Sequence, residues 1–180
     1  MGWVGQRPRA DRYEFPVAGI TLKEALEYCA WLSRKTGRGY SIPNEAQWEK
    51  ACRGGITSRY PWGDDLDPER SNHGKPALAA VNAHPPQNEF GILDLVGNVR
   101  QWTISLWGDD PVTPDPTFGP PWKNDRRNDV NAPRTILRVI RGCSFAEDAA
   151  NLTCSNRKGQ LPTDAGWLGA GIGFRLAMNL

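Results

Sequence analysis

Apolar residues recur at helical spacing twice in the first third of the chain. Leu22, Ala25, Leu26, Cys29 and Leu32 fall three or four apart with Trp31 flanking the stripe, which predicts a helix with one face on a core. Thr21 and Glu24 form a capping box at its start, and Gly37 after Lys35 supplies the stop. A second helix follows the same grammar, with Asn44 as cap, Gln47 three residues on, Trp48, Ala51 and Cys52 on one side, and Gly54 and Gly55 at the end.

The later apolar positions alternate instead. Leu137, Val139 and the aliphatic part of Arg141 alternate with Arg138 and Ile140, which predicts a half-buried strand ending in a bend at Gly142. Ile172, Phe174 and Leu176 predict a closing strand. Between them, Gly159, Pro162, Gly166, Gly169 and Gly171 punctuate a polar segment that reads as loop. The stretch from Asn88 to Trp107 gathers Phe90, Ile92, Leu93, Leu95, Val96, Val99, Trp102, Ile104 and Trp107 and predicts deep core. Gly91 and Gly97 interrupt it, Asn98 falls in a turn suited to positive φ, and Trp102 is expected to open a strand. Tyr60 to Gly74 and Gly108 to Pro133 carry turn residues and predict surface loops. The predicted class is α+β: two early helices, then a sheet built mainly from the C-terminal half. Residues 1–15 read as an extended lead-in that pairs at a sheet edge, and residues 16–180 as one domain.

Composition narrows the function. The 180 residues include 19 Gly, 15 Pro and 8 Trp, a mixture suited to turns and loops pinned by aromatic anchors. The 22 basic and 20 acidic residues are interspersed and leave a formal charge of +2, so there is no broad basic face for nucleic acid. No apolar run approaches the roughly 20 residues that span a bilayer, and the first residues lack a signal-peptide core. The expectation is no membrane partner and a cytoplasmic location by default.

The 4 cysteines, Cys29, Cys52, Cys143 and Cys154, have no zinc-type spacing with each other or with His73 and His84. Cys29 and Cys52 fall on the apolar faces of the helices, where a thiol is expected to be a small buried hydrophobe, with a disulfide or a reactive thiol as the alternative. A Cys143–Cys154 pair stays open, because spacing does not decide connectivity. Asp64, Asp65 and Asp67 partly imitate a calcium loop, but without its glycine and terminal glutamate they read as solvated turn carboxylates. The histidines have no partner at catalytic spacing.

In order and spacing, ITLKEALEYCAWLSRKTGRGYSIPNEAQWEKACRGG, YPWGDD, NEFGILDLVGNVRQW, RVIRGCSF and GFRLA resemble the formylglycine-generating-enzyme, or sulfatase-modifying-factor, family from about Pro16 onward. The resemblance implies a C-type-lectin-like fold with two helices, a small antiparallel sheet and long loops that carry function. Family domains usually have further strands before the position of Pro16. The chain is therefore expected to be fused to or associated with another domain.

The resemblance also separates function classes. Family maturases hold copper on a cysteine pair between an RGGS-like motif and the following arginine. Here SFAEDAANLTCSNR contains only Cys154, and Cys143 occupies a glycine position of the motif. Sulfoxide synthases bind iron through histidines of an added domain that has no counterpart here. Where the family has GNVWEW the chain has GNVRQW, so Arg100 and Gln101 replace an aromatic and a calcium-binding carboxylate. No cofactor is expected.

A third class comprises the variable proteins of diversity-generating retroelements, in which the segment between these motifs is diversified for ligand binding. The resemblance to them implies a non-catalytic module with Phe145, Ala146, Glu147, Asp148, Ala150, Thr153, Ser155, Lys158, Gln160, Asp164, Trp167 and Leu168 as contact residues. Trp167 is the expected anchor. A protein ligand fits better than a sugar, since the calcium oxygens of sugar-binding lectins are not evident. The rival is an oxidoreductase, a maturase or sulfoxide synthase, working through Cys143 or Cys154. Arg175, Arg141 and Asn98 are expected to be structural.

Overall fold

The structure is a computed structural model and describes residues 3–4, 7–8, 10–107, 126–166 and 171–178. The lead-in forms a ribbon of its own, β1 (Trp3–Val4) against β2 (Arg7–Pro8), where pairing with a sheet edge was the expectation.

Both helices begin and end where their caps direct. Helix α1 spans Leu22–Thr36, with a reciprocal Thr21–Glu24 capping box and Gly37 left-handed at φ 71°. Strand β3 (Tyr40–Ser41) leads into α2, Glu45–Arg53, which has the equivalent Asn44–Gln47 box and Gly54 at φ 58°. These boxes satisfy amides that the first helical turn leaves without intrahelical acceptors.

The main sheet has the order β6-β5-β4-β7, from β4 (Arg100–Leu106), β5 (Arg138–Arg141), β6 (Arg157–Gln160) and β7 (Ile172–Gly173). It is antiparallel except where β4 meets β7 in parallel. A further short strand, β8 (Ala177–Met178), pairs with β3. The alternation Ile172, Phe174, Leu176 therefore does not form one closing strand: the chain leaves β4 after Gly173 and rejoins the sheet system beside β3.

Strand β5 is buried at all four positions rather than on one face. Its two arginines are covered as completely as Val139 and Ile140. One apolar cluster joins Leu22, Ala25 and Cys29 of α1 to Ile42, Trp102, Ile140 and Ile172. A second joins Trp48 and Cys52 of α2 to Tyr60, Leu95, Val96, Cys143, Leu152 and Cys154.

Phe90 corrects the expectation of unbroken core from Asn88: it is 60% exposed. The Asn88 side chain accepts from the Phe90 amide, the Asn88 carbonyl accepts from Gly91, and Gly91 adopts φ 72°. That turn carries the ring outward, while Leu95, Val96, Val99 and Trp102 supply the burial. Strand β4 also opens two residues before Trp102, at Arg100.

The turn after Val96 is the tightest of the glycine positions among the described residues. Gly97 lies at φ 97°, and a Cβ there would stand 2.2 Å from Ser71 Oγ and 2.9 Å from the Asn72 carbonyl oxygen. Gly97→Ala is expected to cost about 2 kcal/mol or more, since left-handed strain and overlap with backbone act together. Urea denaturation measures it, and a midpoint equal to the parent's would contradict this account.

Candidate functional site

The segment that follows β5 is hung on the turn at Asn98. Asn98 is fully buried at φ 63°, and its amide side chain bonds Asn72, Asp94 and both the amide and the carbonyl of Ala79. Its own carbonyl accepts from the Phe145 amide at 2.9 Å, and the Phe145 and Glu147 carbonyls accept from Lys75 and Gly74. Phe145 itself is only 7% exposed. It is a wall of the core, which corrects its expected place on the contact surface.

Glu147 is the second anchor. Its carboxylate accepts from the Arg100 guanidinium, from Lys158 Nζ at 2.7 Å and from the Ser144 amide at 2.8 Å. Burial alone would raise this carboxyl, but those hydrogen bonds outweigh it and hold the pKa at about 2. Arg100 also donates to the Gly142 carbonyl at 2.7 Å. The residue that departs from the family motif thus ties both ends of the 142–147 bend to β4.

A short 3-10 turn, Ala149–Asn151, brings Leu152 into the core, and Cys154 is disulfide-bonded to Cys52 of α2. This corrects the expectation that Cys52 is a free buried thiol and settles the open pairing: the partner of Cys154 is Cys52 and not Cys143. Cys143 is unpaired and fully buried. Desolvation, reinforced by the charge of Glu147, pushes its thiol up to about 12.

Beyond the bridge, Arg141 gathers the carbonyls of Cys154, Ser155 and Asn156, pairs with Glu49 and Glu45 of α2, and lies over the Trp48 ring. Arg157 forms a two-pronged pair with Glu45 and stacks on Trp107. The segment read as all loop therefore contains β6, paired with β5 from Arg157 to Gln160. The sequence reading missed Glu45 and Glu49 in this role. Their signal was two carboxylates one helical turn apart on a helix with a buried tryptophan between them.

The remaining candidates divide cleanly. Ala146, Asp148, Ala150, Ser155, Lys158 and Asp164 are exposed, while Thr153 and Gln160 are half-buried. Thr153 and Ser155 hydroxyls lie 3.2 Å apart, and Gln160 donates to Asp164 at 2.6 Å. Trp167 and Leu168 lie outside the described residues, as do residues 108–125 of the expected long loop.

Neither of the family's metals finds its donors among these residues. Copper would need two thiolates, and here one sulfur is in a disulfide and the other is buried as the thiol. At the calcium position, Gln101 Oε1 accepts from Trp48 Nε1 at 2.7 Å and from Arg175 Nε at 2.6 Å, so its lone pairs are taken. Arg175 also donates to the Leu93 and Asp94 carbonyls. A guanidinium there already supplies the positive charge.

Comparison with known proteins agrees with this architecture. The sequence model of the sulfatase-modifying factor enzyme 1-like domain matches residues 4–180. The inactive C-alpha-formylglycine-generating enzyme 2 of Bos taurus is 33% identical over 186 residues, covering 93% of this chain and 51% of that protein. Formylglycine-generating enzyme of the same organism is 31% identical over 137 residues, covering 64% of this chain and 34% of that protein. Treponema denticola variable protein 1 superposes with a TM-score of 0.75 at 19% identity, covering 99% of this chain and 74% of that one. The chain spans about half the length of the first curated relatives it matches, 51% in each case.

Proposed function

The chain belongs to the sulfatase-modifying factor enzyme 1-like family, and from that premise we propose that it is a non-catalytic binding module. It is a variable protein of the diversity-generating retroelement kind, whose ligand is a protein held on the surface between Phe145 and Leu168. One observation carries the reading: exposed positions alternate with anchored ones along that segment. Ala146, Asp148, Ala150, Ser155 and Lys158 face outward, while Phe145, Glu147, Leu152, Cys154 and Arg157 hold the backbone to β4, β5 and α2. A fixed frame with interchangeable outward positions is what a diversified surface requires. Cys154 within the segment and Cys143 just before it support the same side, since one is in a disulfide and the other is a buried thiol.

Two measurements test this. Substitutions at Ala146, Asp148, Ala150 and Ser155 are expected to change unfolding free energy by no more than about 0.5 kcal/mol each, as surface positions do. Losses well above that in denaturant titrations would mean that the positions belong to the frame. In the gene, independent isolates are expected to differ at adenine-templated codons between about Phe145 and Ala170, with a near-copy of the segment nearby. An even spread of silent and replacement changes, or stoichiometric copper or iron lost on Cys143→Ala, would favour the oxidoreductase instead.

A further inference from the structure

The solvent side of α1 carries aromatic rings where a surface helix ordinarily carries charge. Tyr28 and Trp31 are each 45% exposed, and their rings lie 5.5 Å apart. Phe174, half-buried, meets the Tyr28 ring edge-on at 5.7 Å. Arg175 reaches inward to Gln101 and to the Leu93 and Asp94 carbonyls, which leaves its neighbour Leu176 facing out, 41% exposed. Met178, 38% exposed, follows on β8 opposite Tyr40 of β3, and the Tyr40 amide donates to Ser33 of α1 at 2.9 Å. These side chains form one band from α1 to β8. With roughly 150–250 Å² to a large side chain, the band leaves on the order of 400 Å² of apolar surface in water, and a contiguous patch of that size on a monomer is often functional.

The charges around the band have one sign. Residues 28–44 hold Arg34, Lys35 and Arg38 and no acidic residue, and residues 171–180 hold Arg175 and no acidic residue. Arg34, Lys35 and Arg38 are exposed, and among the described residues none of them is in an ion pair. Lys35 Nζ stands 5.1 Å from the centre of the Trp31 ring, so cation and indole share one level. The preceding acids on the helix are engaged, Glu24 with Thr21 and Glu27 with Lys23 at 3.3 Å.

We propose that this face docks the chain, reversibly, on an anionic lipid surface, with Tyr28, Trp31, Leu176 and Met178 entering the headgroup layer and Arg34, Lys35 and Arg38 lying at its anionic groups. Two arguments favour lipid over a protein partner. The apolar band is about half of the roughly 800 Å² that each side of a standard protein interface buries. Indole and phenol rings with cations at their level are also what a headgroup layer accommodates, and no shape-matched partner is required. This departs from the expectation of no membrane partner, which follows from the lack of a spanning segment. No helix among the described residues is long and apolar enough to cross a bilayer, and contact with one leaflet needs none. The face uses none of the positions from Phe145 to Leu168, so it stands or falls separately from the surface proposed above.

Co-sedimentation of the whole chain with vesicles tests it, phosphatidylcholine alone against phosphatidylcholine with about 30% phosphatidylglycerol. Each basic residue near an anionic surface strengthens binding about fivefold, so the anionic vesicles are expected to bind about a hundredfold more tightly than the neutral ones. High salt is expected to remove the difference. Arg34→Gln/Arg38→Gln is expected to lower that preference about twentyfold, and Trp31→Ser to weaken anionic binding about tenfold or more. All three sites are exposed, so the variants should melt near the parent's temperature. Phe90→Ser removes an exposed ring beside the end of α2 and is expected to leave binding unchanged. The proposal is overturned by equal binding to both vesicles, by undiminished binding in Trp31→Ser or in the double variant, by a loss in Phe90→Ser as large as in Trp31→Ser, or by no binding at about 1 mM lipid. Soluble polyglutamate that competes as well as the anionic vesicles, at equal charge, would assign the face to an acidic polypeptide and overturn it as well.

Discussion

Reduction of the Cys52–Cys154 bridge is expected to lower the unfolding free energy by about 4 kcal/mol. The two cysteines are 102 residues apart in sequence, and cross-linking a loop of about 100 residues removes roughly 4.7 kcal/mol of chain entropy from the unfolded state, with measured losses usually about 2–5. For a chain of this size each kcal/mol moves the melting temperature by about 2–4 °C, so the expected fall is on the order of 10 °C. Melting curves with and without reductant measure it, with Cys52→Ala/Cys154→Ala as the reagent-free equivalent. An unchanged melting temperature, once mass spectrometry shows both thiols free, would sink the expectation. Cys29 and Cys143 are buried and unpaired, so the same treatment of a variant lacking only the bridge should do nothing further. Bridges of this kind persist in oxidising compartments and are rare in the cytosol. That pulls against the cytoplasmic default drawn from the sequence.

The residues that were legible in the sequence are those whose signals are local. Thr21 with Glu24 and Asn44 with Gln47 are caps that work within one turn of chain, and both helices begin there. Asn98 announced its positive φ because few other residues tolerate it beside a glycine. What was not legible depends on contacts across the chain. The bridge joins residues 102 positions apart, and neither cysteine carries a mark of its partner. Phe90 and Phe145 have the same chemistry but opposite environments, because the Asn88–Gly91 turn expels one and the Asn98 carbonyl draws in the backbone of the other. Glu147 looked like a free surface carboxylate because its partner Arg100 lies 47 residues earlier, on β4. The sequence pattern reads as a half-buried strand, with Leu137, Val139 and the stem of Arg141 on one face and Arg138 and Ile140 on the other, yet both sides of β5 are covered.

Glu147 carries the second large expectation. Its folded pKa is depressed to about 2 from an ordinary 4.5, so its contribution is present in full above the unfolded value and is lost as pH falls from about 4.5 toward 2. A shift of that size corresponds to stability on the order of 3 kcal/mol. Glu147→Gln should therefore destabilise the protein by about 3–5 kcal/mol at neutral pH, since it also leaves the Arg100 charge buried without its partner. Asp94 works in the opposite sense, because burial raises its carboxyl, and Glu24, lowered by its bonds to Thr21, works in the same sense. Both are unchanged in the variant, so the difference between parent and variant isolates Glu147. That difference should shrink steadily below about pH 4.5, and a constant offset down to pH 2 would show that the carboxylate charge is not what holds the segment. The consequence reaches the proposed surface: Ala146, Asp148 and Lys158 flank or contact this one carboxylate. On the proposed function, a protein ligand held there should dissociate in the pH window in which Glu147 takes up its proton.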